Sequence, residues 1–284
     1  MNIEGKILEL GFDLFGIASP EVPGSEIVFF EKWISKGYAA NMEGWLARGK
    51  EKRADLSKIL PGVKSVIVVG MNYYPGDHRG DKNLVARYAW GDDYHEVMGE
   101  KLEELSREIP GESKWYTDTG SILERYFAVK AGLGFIGKNT CLITPEFGSW
   151  VFLGIVLTTV ELEPTTSKPM GNCGDCRKCI DACPTGALSE KKIDCRKCIS
   201  YLTIEKKGNF NPEEKGMVAG QKFVFGCDRC QEVCPHNCRA KKTDVFNPRM
   251  QDLDIEDFKI PQKSPLRRAK KEGLVRNLSA GHRA

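Results

Sequence analysis

The 284-residue sequence predicts an α/β domain over residues 1–163, a small cysteine-rich domain over 164–245 and a basic C-terminal extension over 246–284. Three observations lead to this prediction. Strand-like and helix-like stretches alternate in the N-terminal part, ten of the eleven cysteines lie between Cys173 and Cys238, and lysines and arginines crowd the C-terminal end. A chain of this length has room for one sizeable domain and one small one.

Two apolar runs in the N-terminal part are typical of buried strands, Val63–Gly70 and Trp150–Thr159. Both are short and rich in β-branched residues, and Pro61 and Gly62 precede the first.

Two further stretches predict helices. Tyr94–Arg107 places apolar residues on one face, at Val97, Met98, Leu102 and Leu105, and Ile122–Gly132 ends at a glycine. The segment Glu161–Asn172 contains two prolines and is expected to be the linker to the second domain.

Three glycines match the letters of a dinucleotide-binding fingerprint, Gly132, Gly134 and Gly137. That fingerprint requires a preceding strand and a following helix. Here the glycines follow a predicted helix, so a helix C-cap and a tight turn are the favoured interpretation.

The cysteine spacing is that of a bacterial ferredoxin with two [4Fe–4S] clusters. The first run is Cys173-x2-Cys176-x2-Cys179-x3-Cys183-Pro184, and a second, Cys227-x2-Cys230-x3-Cys234-Pro235, has the spacing of the last three ligands of the same motif. In such proteins the fourth cysteine of a run binds the other cluster. The sequence therefore predicts a ferredoxin-like domain that transfers single electrons.

This crossover rule assigns the ligands. We expect the first cluster to be held by Cys173, Cys176, Cys179 and Cys234. The second cluster would be held by Cys183, Cys227 and Cys230, with an eighth ligand from either Cys195 or Cys198. Spacing alone does not choose between these two.

Zinc and disulfides are the rival interpretations of the cysteines. C-x2-C pairs also occur in zinc sites, but zinc does not explain the triplets or the two x3-Cys-Pro endings. A disulfide framework is disfavoured because we see no N-terminal signal peptide and a chain this long does not need disulfides. Reduced thiols and the lack of a membrane-spanning apolar run indicate a cytoplasmic, oxygen-sensitive protein without a membrane association.

Residues 263–284 carry seven basic residues against the single acid Glu272: Lys263, Arg267, Arg268, Lys270, Lys271, Arg276 and Arg283. Two interpretations are open, a solvated and partly frayed tail or a contact with phosphate, most plausibly of a nucleic acid.

Five segments together resemble the epoxyqueuosine reductase family: Trp90–His95 (WGDDYH), Thr117–Gly120 (TDTG), Ala131–Asn139 (AGLGFIGKN), Cys198–Glu205 (CISYLTIE) and Gly226–Pro235 (GCDRCQEVCP). The resemblance extends from the N-terminus to about Asn277. It implies a base-off cobalamin in the N-terminal domain, reduced by the two clusters, and a tRNA whose wobble base carries an epoxycyclopentane. It also implies Cys198 as the eighth ligand, an electron donor such as flavodoxin or ferredoxin, and a monomer.

By this resemblance Asp118 is the proton donor. An ordinary aspartate, with a pKa of about 3.9, is ionised at neutral pH, so this role requires burial or a neighbouring anion. The alternative is a turn or helix N-cap. Asp93, Tyr94 and His95 match another family segment and are expected in the same pocket, or else at a helix start with a hydrogen-bonded histidine.

The resemblance places further contacts. Arg53, Asp118, Asn139, Leu142 and Leu153 stand where the family binds cobalamin, and Thr144 and Lys207 stand where tRNA contacts are expected. Core packing is the alternative for both leucines. Asp93 and His95 lack the glycine of the D-x-H-x-x-G cobalamin motif, because position 98 is methionine, so no histidine ligand to the metal is expected.

Two other function classes remain open from the sequence. A cobalamin-dependent reductive dehalogenase has the same cofactors, and a non-catalytic iron–sulfur electron carrier would explain the clusters but not the N-terminal domain. Many family members continue into a helical-repeat domain, and we expect a short form here. Cys141, Cys195 and Cys238 have no assigned function.

Overall fold

The computed structural model describes residues 2–165, 171–254 and 259–281. Residues 166–170 of the predicted linker and Arg283 of the basic extension lie outside the described residues. The strands are β1 (Leu14–Ala18), β2 (Ser65–Asn72), β3 (Leu84–Val85), β4 (Ser113–Tyr116), β5 (Phe135–Ile136), β6 (Leu142–Ile143), β7 (Val151–Thr158), β8 (Leu188–Ser189), β9 (Lys192–Ile193) and β10 (Phe223–Phe225). The α-helices are α1 (Ile3–Glu9), α2 (Gly24–Ser35), α3 (Glu43–Arg48), α4 (Lys50–Ala54), α5 (Tyr94–Glu108), α6 (Glu124–Lys130), α7 (Lys178–Asp181), α8 (Ile199–Ile204), α9 (Pro212–Val218), α10 (Arg229–Glu232) and α11 (Lys270–Gly281).

A four-stranded sheet in the order β1-β2-β7-β4 forms the centre of the N-terminal part. All its neighbouring strands are antiparallel. The two strands predicted from apolar runs are its central pair, with Ser65 opposite Thr158 and Asn72 opposite Val151. The mixed α/β fold class and both strands are therefore confirmed.

Both faces of this sheet are covered, which explains why β2 is apolar throughout. Ile67, Val69 and Met71 belong to a core with Met98 and Leu102 of α5. The alternate residues of β2, Val66 and Val68, pack on the other face with α6. A strand that is buried on both faces has a continuous run of apolar residues instead of alternating apolar and polar residues.

The glycine-rich segment after α6 is a helix end and a hairpin, as predicted. Gly132 has φ +79°, and its N–H bonds to the carbonyl of Val129. β5 and β6 then pair, and a Cβ at Gly134 would lie 2.2 Å from the carbonyl oxygen of Ile143. These glycines allow close backbone packing, and the dinucleotide interpretation is excluded by the missing strand–turn–helix context.

The cysteine-rich part is joined to the N-terminal part through a shared core. β3 pairs in parallel with β10. Val85 and Trp90 pack in one cluster with Phe225 and with Leu278 of α11. Segment 84–90 therefore belongs structurally with the C-terminal half, although it precedes α5 in the chain.

The basic C-terminal segment contains a packed helix. Leu274 and Leu278 of α11 are completely buried, and the Asn277 side-chain amide donates to the carbonyls of Thr203 and Val224 at 2.7 and 2.8 Å. Arg276 donates to the carbonyls of Leu202, Lys206 and Gly208, at the C-terminal end of α8. Within the described ranges no helix combines the length and apolarity needed to cross a bilayer.

Candidate active site and cluster ligands

The four cysteines predicted for the first cluster line one cavity. Cys173 and Cys176 lie in the loop before α7, Cys179 lies within α7, and Cys234 follows α10. The other lining residues are Lys178, Pro235 and His236, which neighbour these cysteines in the chain, and Lys138, Asn139 and Ile143 from the β5–β6 hairpin. The fold thus brings Cys234 to the first run, as the crossover rule requires.

The second predicted set also converges. Burial raises the pKa of the Cys227 thiol to about 12, and the neighbouring thiols of Cys198 and Cys183 contribute. Burial likewise raises the pKa of Cys230, with contributions from Cys141, Cys227 and Cys198. Thiols held this close together in an apolar site ionise poorly by themselves and become thiolates when a metal binds.

The three remaining cysteines have different surroundings. Cys195 is buried in a core with Ile199 and Leu202, and its N–H bonds to the carbonyl of Tyr38. Burial raises the pKa of Cys195 to about 12 and that of Cys141 to about 11. Cys238 is exposed. In the part of the chain that the structure describes, no three potential ligand side chains are grouped tightly enough for a single metal ion.

Asp118 lies in the loop after β4, at the edge of the central sheet. Its φ is +61°, a conformation rare for a residue with a side chain. Two contacts hold this loop: the Thr117 hydroxyl donates to the carbonyl of Leu153 on β7 at 2.8 Å, and the Asp118 N–H donates to Glu124 Oε1 at 2.7 Å. Backbone strain held by its surroundings is common at functional sites.

The structure brings Tyr94 and Asp118 together. The Tyr94 hydroxyl donates a short hydrogen bond to Asp118 Oδ2. Its ring is stacked between His95 and Phe152, each with a centroid 4.1 Å away. Burial, followed by the charge of Asp118, raises the pKa of Tyr94. The phenol therefore remains protonated and a donor to Asp118 at physiological pH.

Asp93 and His95 form a pair at the start of α5. Asp93 Oδ1 accepts from the His95 N–H at 3.0 Å and lies 2.7 Å from His95 Nδ1. Burial opposes ionisation, but the two hydrogen bonds and the charge of His95 together lower the pKa of Asp93. Asp93 is thus an N-cap that also orients the imidazole, as in the interpretation of this segment as a helix start with a hydrogen-bonded histidine.

Glu124 is the residue that the sequence analysis missed. It begins α6, six residues after Asp118, and burial followed by the charge of Asp118 raises its pKa to about 8. An acid in the first turn of a helix usually only stabilises the helix dipole, so nothing in the sequence distinguished it. Here Glu124 holds a proton at neutral pH beside Asp118.

Arg53 lies next to the Asp118 loop. A Cβ at Gly49 would lie 2.4 Å from Arg53 Nη1 and 2.2 Å from the hydroxyl of Ser121. The guanidinium is 4 % exposed and is flanked by the rings of Phe30 and Trp45. Burial lowers the pKa of Arg53, and among the described residues no carboxylate forms an ion pair with it.

The guanidinium donates to the carbonyl of Leu46 at 2.9 Å. These features fit a large ligand with polar or anionic groups, because a buried cation without an anionic partner is otherwise costly. Val28 and Phe29 on α2 and Trp45 on α3 are exposed apolar side chains, and Trp45 contacts this arginine. Leu142 is buried in the core under α6, so only its backbone is available to a ligand, whereas the side chain of Leu153 is partly buried there.

The remaining predicted residues are found in three different places. Asn139 is 3 % exposed and lines the cavity of the first cysteine set. Thr144 is 2 % exposed, and its hydroxyl is used within the turn that reaches Gly148, so its side chain is not accessible to a nucleic acid. Lys207 is exposed at the end of α8.

A broad, open groove of about 520 Å³ lies between α5 and β4. It contains none of the predicted site residues and is lined by Glu103, Ser106, Arg107, Gly111, Ser113, Lys114, Trp115 and Tyr116. Its size alone does not connect it with the chemistry of the cysteines or of Asp118.

Two family models match the chain. One, described as epoxyqueuosine reductase QueG, DUF1730, matches residues 53–119, and the other, a 4Fe-4S double cluster binding domain, matches residues 172–237. The epoxyqueuosine reductase of Gloeobacter violaceus is 40 % identical over 304 residues, covering 97 % of this chain and 93 % of that protein. The chain belongs to the epoxyqueuosine reductase family. The predicted membership and the presence of iron–sulfur clusters are thereby confirmed.

Further members of the family support the same conclusion. The epoxyqueuosine reductase of Synechocystis sp. is 40 % identical, with 88 % of this chain and 93 % of that protein covered. The solved epoxyqueuosine reductase from Streptococcus thermophilus matches with a TM-score of 0.83 and 27 % identity, covering 98 % of this chain and 79 % of that one. An epoxyqueuosine reductase with an epoxyqueuosine-modified tRNA-Tyr stem loop matches with a TM-score of 0.82 and the same coverage.

Proposed function

We propose that this enzyme reduces epoxyqueuosine to queuosine at the wobble position of tRNA. The observation that carries the proposal is the Tyr94–Asp118–Glu124 group, which lies in a chain that also brings two sets of four cysteines together. A similar epoxyqueuosine reductase has been solved with its modified tRNA stem loop, which supports the same substrate here.

The reaction sets clear demands on the protein. Converting an epoxide into an alkene and water takes up two electrons and two protons. The [4Fe–4S] clusters supply electrons one at a time, at potentials that extend down to about −700 mV in proteins. The polypeptide must therefore supply the protons and exclude side reactions near a strongly reducing centre.

The ligand sets follow from the crossover rule and from the grouping of the thiols. Cluster 1 is bound by Cys173, Cys176, Cys179 and Cys234. Cluster 2 is bound by Cys183, Cys198, Cys227 and Cys230. Cys198 rather than Cys195 completes the second set. Cys198 contributes to the raised pKa values of both Cys227 and Cys230, whereas Cys195 is enclosed in an apolar core.

Cobalamin is the cofactor that the family implies for the N-terminal domain. When bound, it supplies a strong Co(I) nucleophile for opening the epoxide. Arg53 and the apolar surface on α2 and α3 would hold it, with the backbones of Leu142 and Leu153 at its edge. Arg53 fits this role because its buried guanidinium has no carboxylate partner within the described residues.

Asp118 delivers the first proton to the oxygen that leaves as water. The Tyr94 hydroxyl orients Asp118 Oδ2 through its hydrogen bond. Glu124 fixes the Asp118 backbone by accepting from its N–H, and it holds a proton next to Asp118 at neutral pH. The group therefore holds one of the two protons that the reaction consumes, on Glu124, and the second proton is taken up from solvent through Asp118.

Substrate and electron donor approach from the surface. Lys207 and the exposed basic residues of the C-terminal segment, Lys263, Lys270 and Lys271, offer contacts for tRNA phosphates. Electrons come from a small carrier such as flavodoxin or ferredoxin. The enzyme acts in the cytoplasm, where tRNA is modified, and it acts as a monomer.

Anaerobic reconstitution tests the proposal. The clusters are rebuilt, cobalamin and a strong reductant are added, and epoxyqueuosine in tRNA is followed by mass spectrometry. Conversion that requires both clusters and cobalamin supports the proposal. Full cofactor loading with no conversion of the tRNA would contradict it, and dehalogenation of a chlorinated phenol in parallel would favour the reductive dehalogenase alternative.

A further inference from the structure

A turn of the N-terminal part closes over the cysteines of the first cluster. This turn, residues 137–141, connects β5 to β6. The Lys138 N–H donates to Cys173 Sγ at 3.4 Å, and both Lys138 and Asn139 line the cavity of the first cysteine set. One structural unit therefore contributes donors to a cluster whose ligands come from the other.

The turn is held in one conformation. The Gly137 N–H donates to the carbonyl of Cys141 at 2.9 Å, and the Thr140 N–H donates to the carbonyl of Gly137 at 3.0 Å. A Cβ at Gly137 would lie 2.6 Å from Asn139 Oδ1, so only glycine fits beside this side chain. The position of the Asn139 amide is thereby fixed.

The amide of Asn139 has an unused donor. Its Oδ1 accepts a hydrogen bond from the Cys141 N–H at 3.2 Å, which fixes which end of the amide is oxygen and which is nitrogen. Its Nδ2 is buried and has no hydrogen-bond partner among the described residues. Buried donors are nearly always paired, so a missing partner indicates an acceptor that belongs in the adjacent cavity.

We propose that Asn139 Nδ2 donates a hydrogen bond to a sulfur atom of cluster 1 and thereby raises the reduction potential of that cluster. The proposal rests on the ligand set assigned above to cluster 1. Reduction adds negative charge to the cluster, so a donor stabilises the reduced form more than the oxidised form. The N-terminal domain then sets the potential at which cluster 1 delivers electrons to its own active site.

The family resemblance implies a different role, a contact between Asn139 and cobalamin. The two roles are separable, because a bond to the cluster acts even when cobalamin is absent. All measurements are therefore made on protein loaded with clusters but free of cobalamin and tRNA. They do not depend on catalysis, so their failure would leave the proposed reaction untouched.

The first test is an EPR-monitored redox titration of the Asn139→Ala variant. We expect one of the two reduction steps to move to lower potential, by about tenfold in the one-electron equilibrium constant or ~59 mV. The other step serves as an internal reference and should not move. Asn172→Ala is the matched control, because Asn172 is exposed and, within the described residues, its amide oxygen accepts from the Gly174 N–H. Unchanged potentials in Asn139→Ala at full iron content would overturn the proposal.

A second test covers the case in which the alanine variant loses its cluster. Protein labelled with 15N in asparagine side chains is reduced and examined by pulsed EPR. The proposal requires a 15N coupling to a reduced cluster that disappears in Asn139→Asp, a variant that keeps the acceptor for Cys141. No coupling in the wild-type protein, or a coupling that persists in the aspartate variant, would overturn it.

Discussion

The backbone N–H of Asp118 donates to the side chain of Glu124 at 2.7 Å, so two carboxyl groups meet at the end of β4. Burial and the charge of Asp118 raise the pKa of Glu124 to about 8. The pair therefore carries one proton more at neutral pH than two ordinary carboxylates would. Together with the Tyr94 hydroxyl, it makes this edge of the sheet a protonated site.

Removing the ionisation of Glu124 should change the pH profile of the reaction. In the wild type, activity should fall as pH rises through about 8, because Glu124 then loses its proton beside Asp118. Glu124→Gln keeps the acceptor for the Asp118 N–H and cannot ionise, so the alkaline fall should shift or disappear. The measurement is kcat/KM against pH at saturating cobalamin. An identical alkaline limb in both proteins would refute this role of Glu124.

The same carboxyl should make stability depend on pH. Below about 4.5, the usual pKa of glutamate, Glu124 is neutral in both states. From there to about 8 the folded state keeps a proton that the unfolded chain has released, so stability falls as pH rises. Since Glu124 is partly exposed, we expect a loss of ~1–2 kcal/mol. Between pH 5 and pH 8 the thermal midpoint of Glu124→Gln should therefore rise by ~2–6 °C relative to the wild type. A constant difference between the two proteins would contradict this expectation.

Tyr94→Phe should separate orientation of the acid from packing. The variant removes the donor to Asp118 Oδ2 and keeps the stacking on His95 and Phe152. A hydrogen bond to a charged group contributes about 1.5–3 kcal/mol, so kcat should fall by roughly ten- to a hundredfold. Cobalamin affinity should stay within about twofold. Single-turnover kinetics provides the rate, and an unchanged rate would show that Tyr94 does not orient the acid.

The two cysteines of the Cys195/Cys198 pair should behave differently. Cys198→Ala should lose one cluster, whereas Cys195→Ala should keep both, because Cys195 lies in an apolar core with Ile199 and Leu202. The variants are matched in size change and are three residues apart. The number of clusters that each variant retains is measured from the iron and sulfide contents of anaerobically purified protein and from EPR of the reduced form. Loss of a cluster in Cys195→Ala alone would reverse the assignment.

The C-terminal helix should contribute strongly to stability. Asn277→Ala leaves the carbonyls of Thr203 and Val224 without their buried donor, which should cost about 2–3 kcal/mol. The expected fall in the thermal midpoint is ~4–10 °C. Ser279→Ala is the control, since this exposed hydroxyl bonds only to Val275 within the same helix. Equal effects of the two substitutions would contradict the anchoring role of Asn277.

The sequence predicted β2, β7 and α5, because the burial of each element leaves its own local pattern of apolar residues. The runs that form β2 and β7 are apolar because both faces of the sheet are covered, and α5 shows its buried face at Met98 and Leu102. Pairing of the two-residue strand β3 with β10 joins segments far apart in the chain, and no local signal indicates it. The C-terminal charges drew attention away from Leu274 and Leu278, whose helical spacing marks a buried face.

The candidate site likewise contains features that have a local sequence signal and features that depend on contacts between distant segments. Cluster ligation imposes its own spacing on the sequence, so the sequence could group Cys234 with the first run, and these four cysteines line one cavity. The family segments pointed to Asp118 and Tyr94 but not to their hydrogen bond, which requires β4 and α5 to be adjacent. Glu124 resembles any acid at a helix start until the fold places it beside Asp118.

The most direct test of the central claim is the conversion of epoxyqueuosine in tRNA by Asp118→Asn, measured by mass spectrometry at equal cluster and cobalamin loading. Asp81→Asn, a change of an exposed carboxylate outside the site, is the control. If Asp118 delivers the proton, Asp118→Asn loses at least ~100-fold in rate while Asp81→Asn retains wild-type activity. Wild-type conversion by Asp118→Asn would contradict the account.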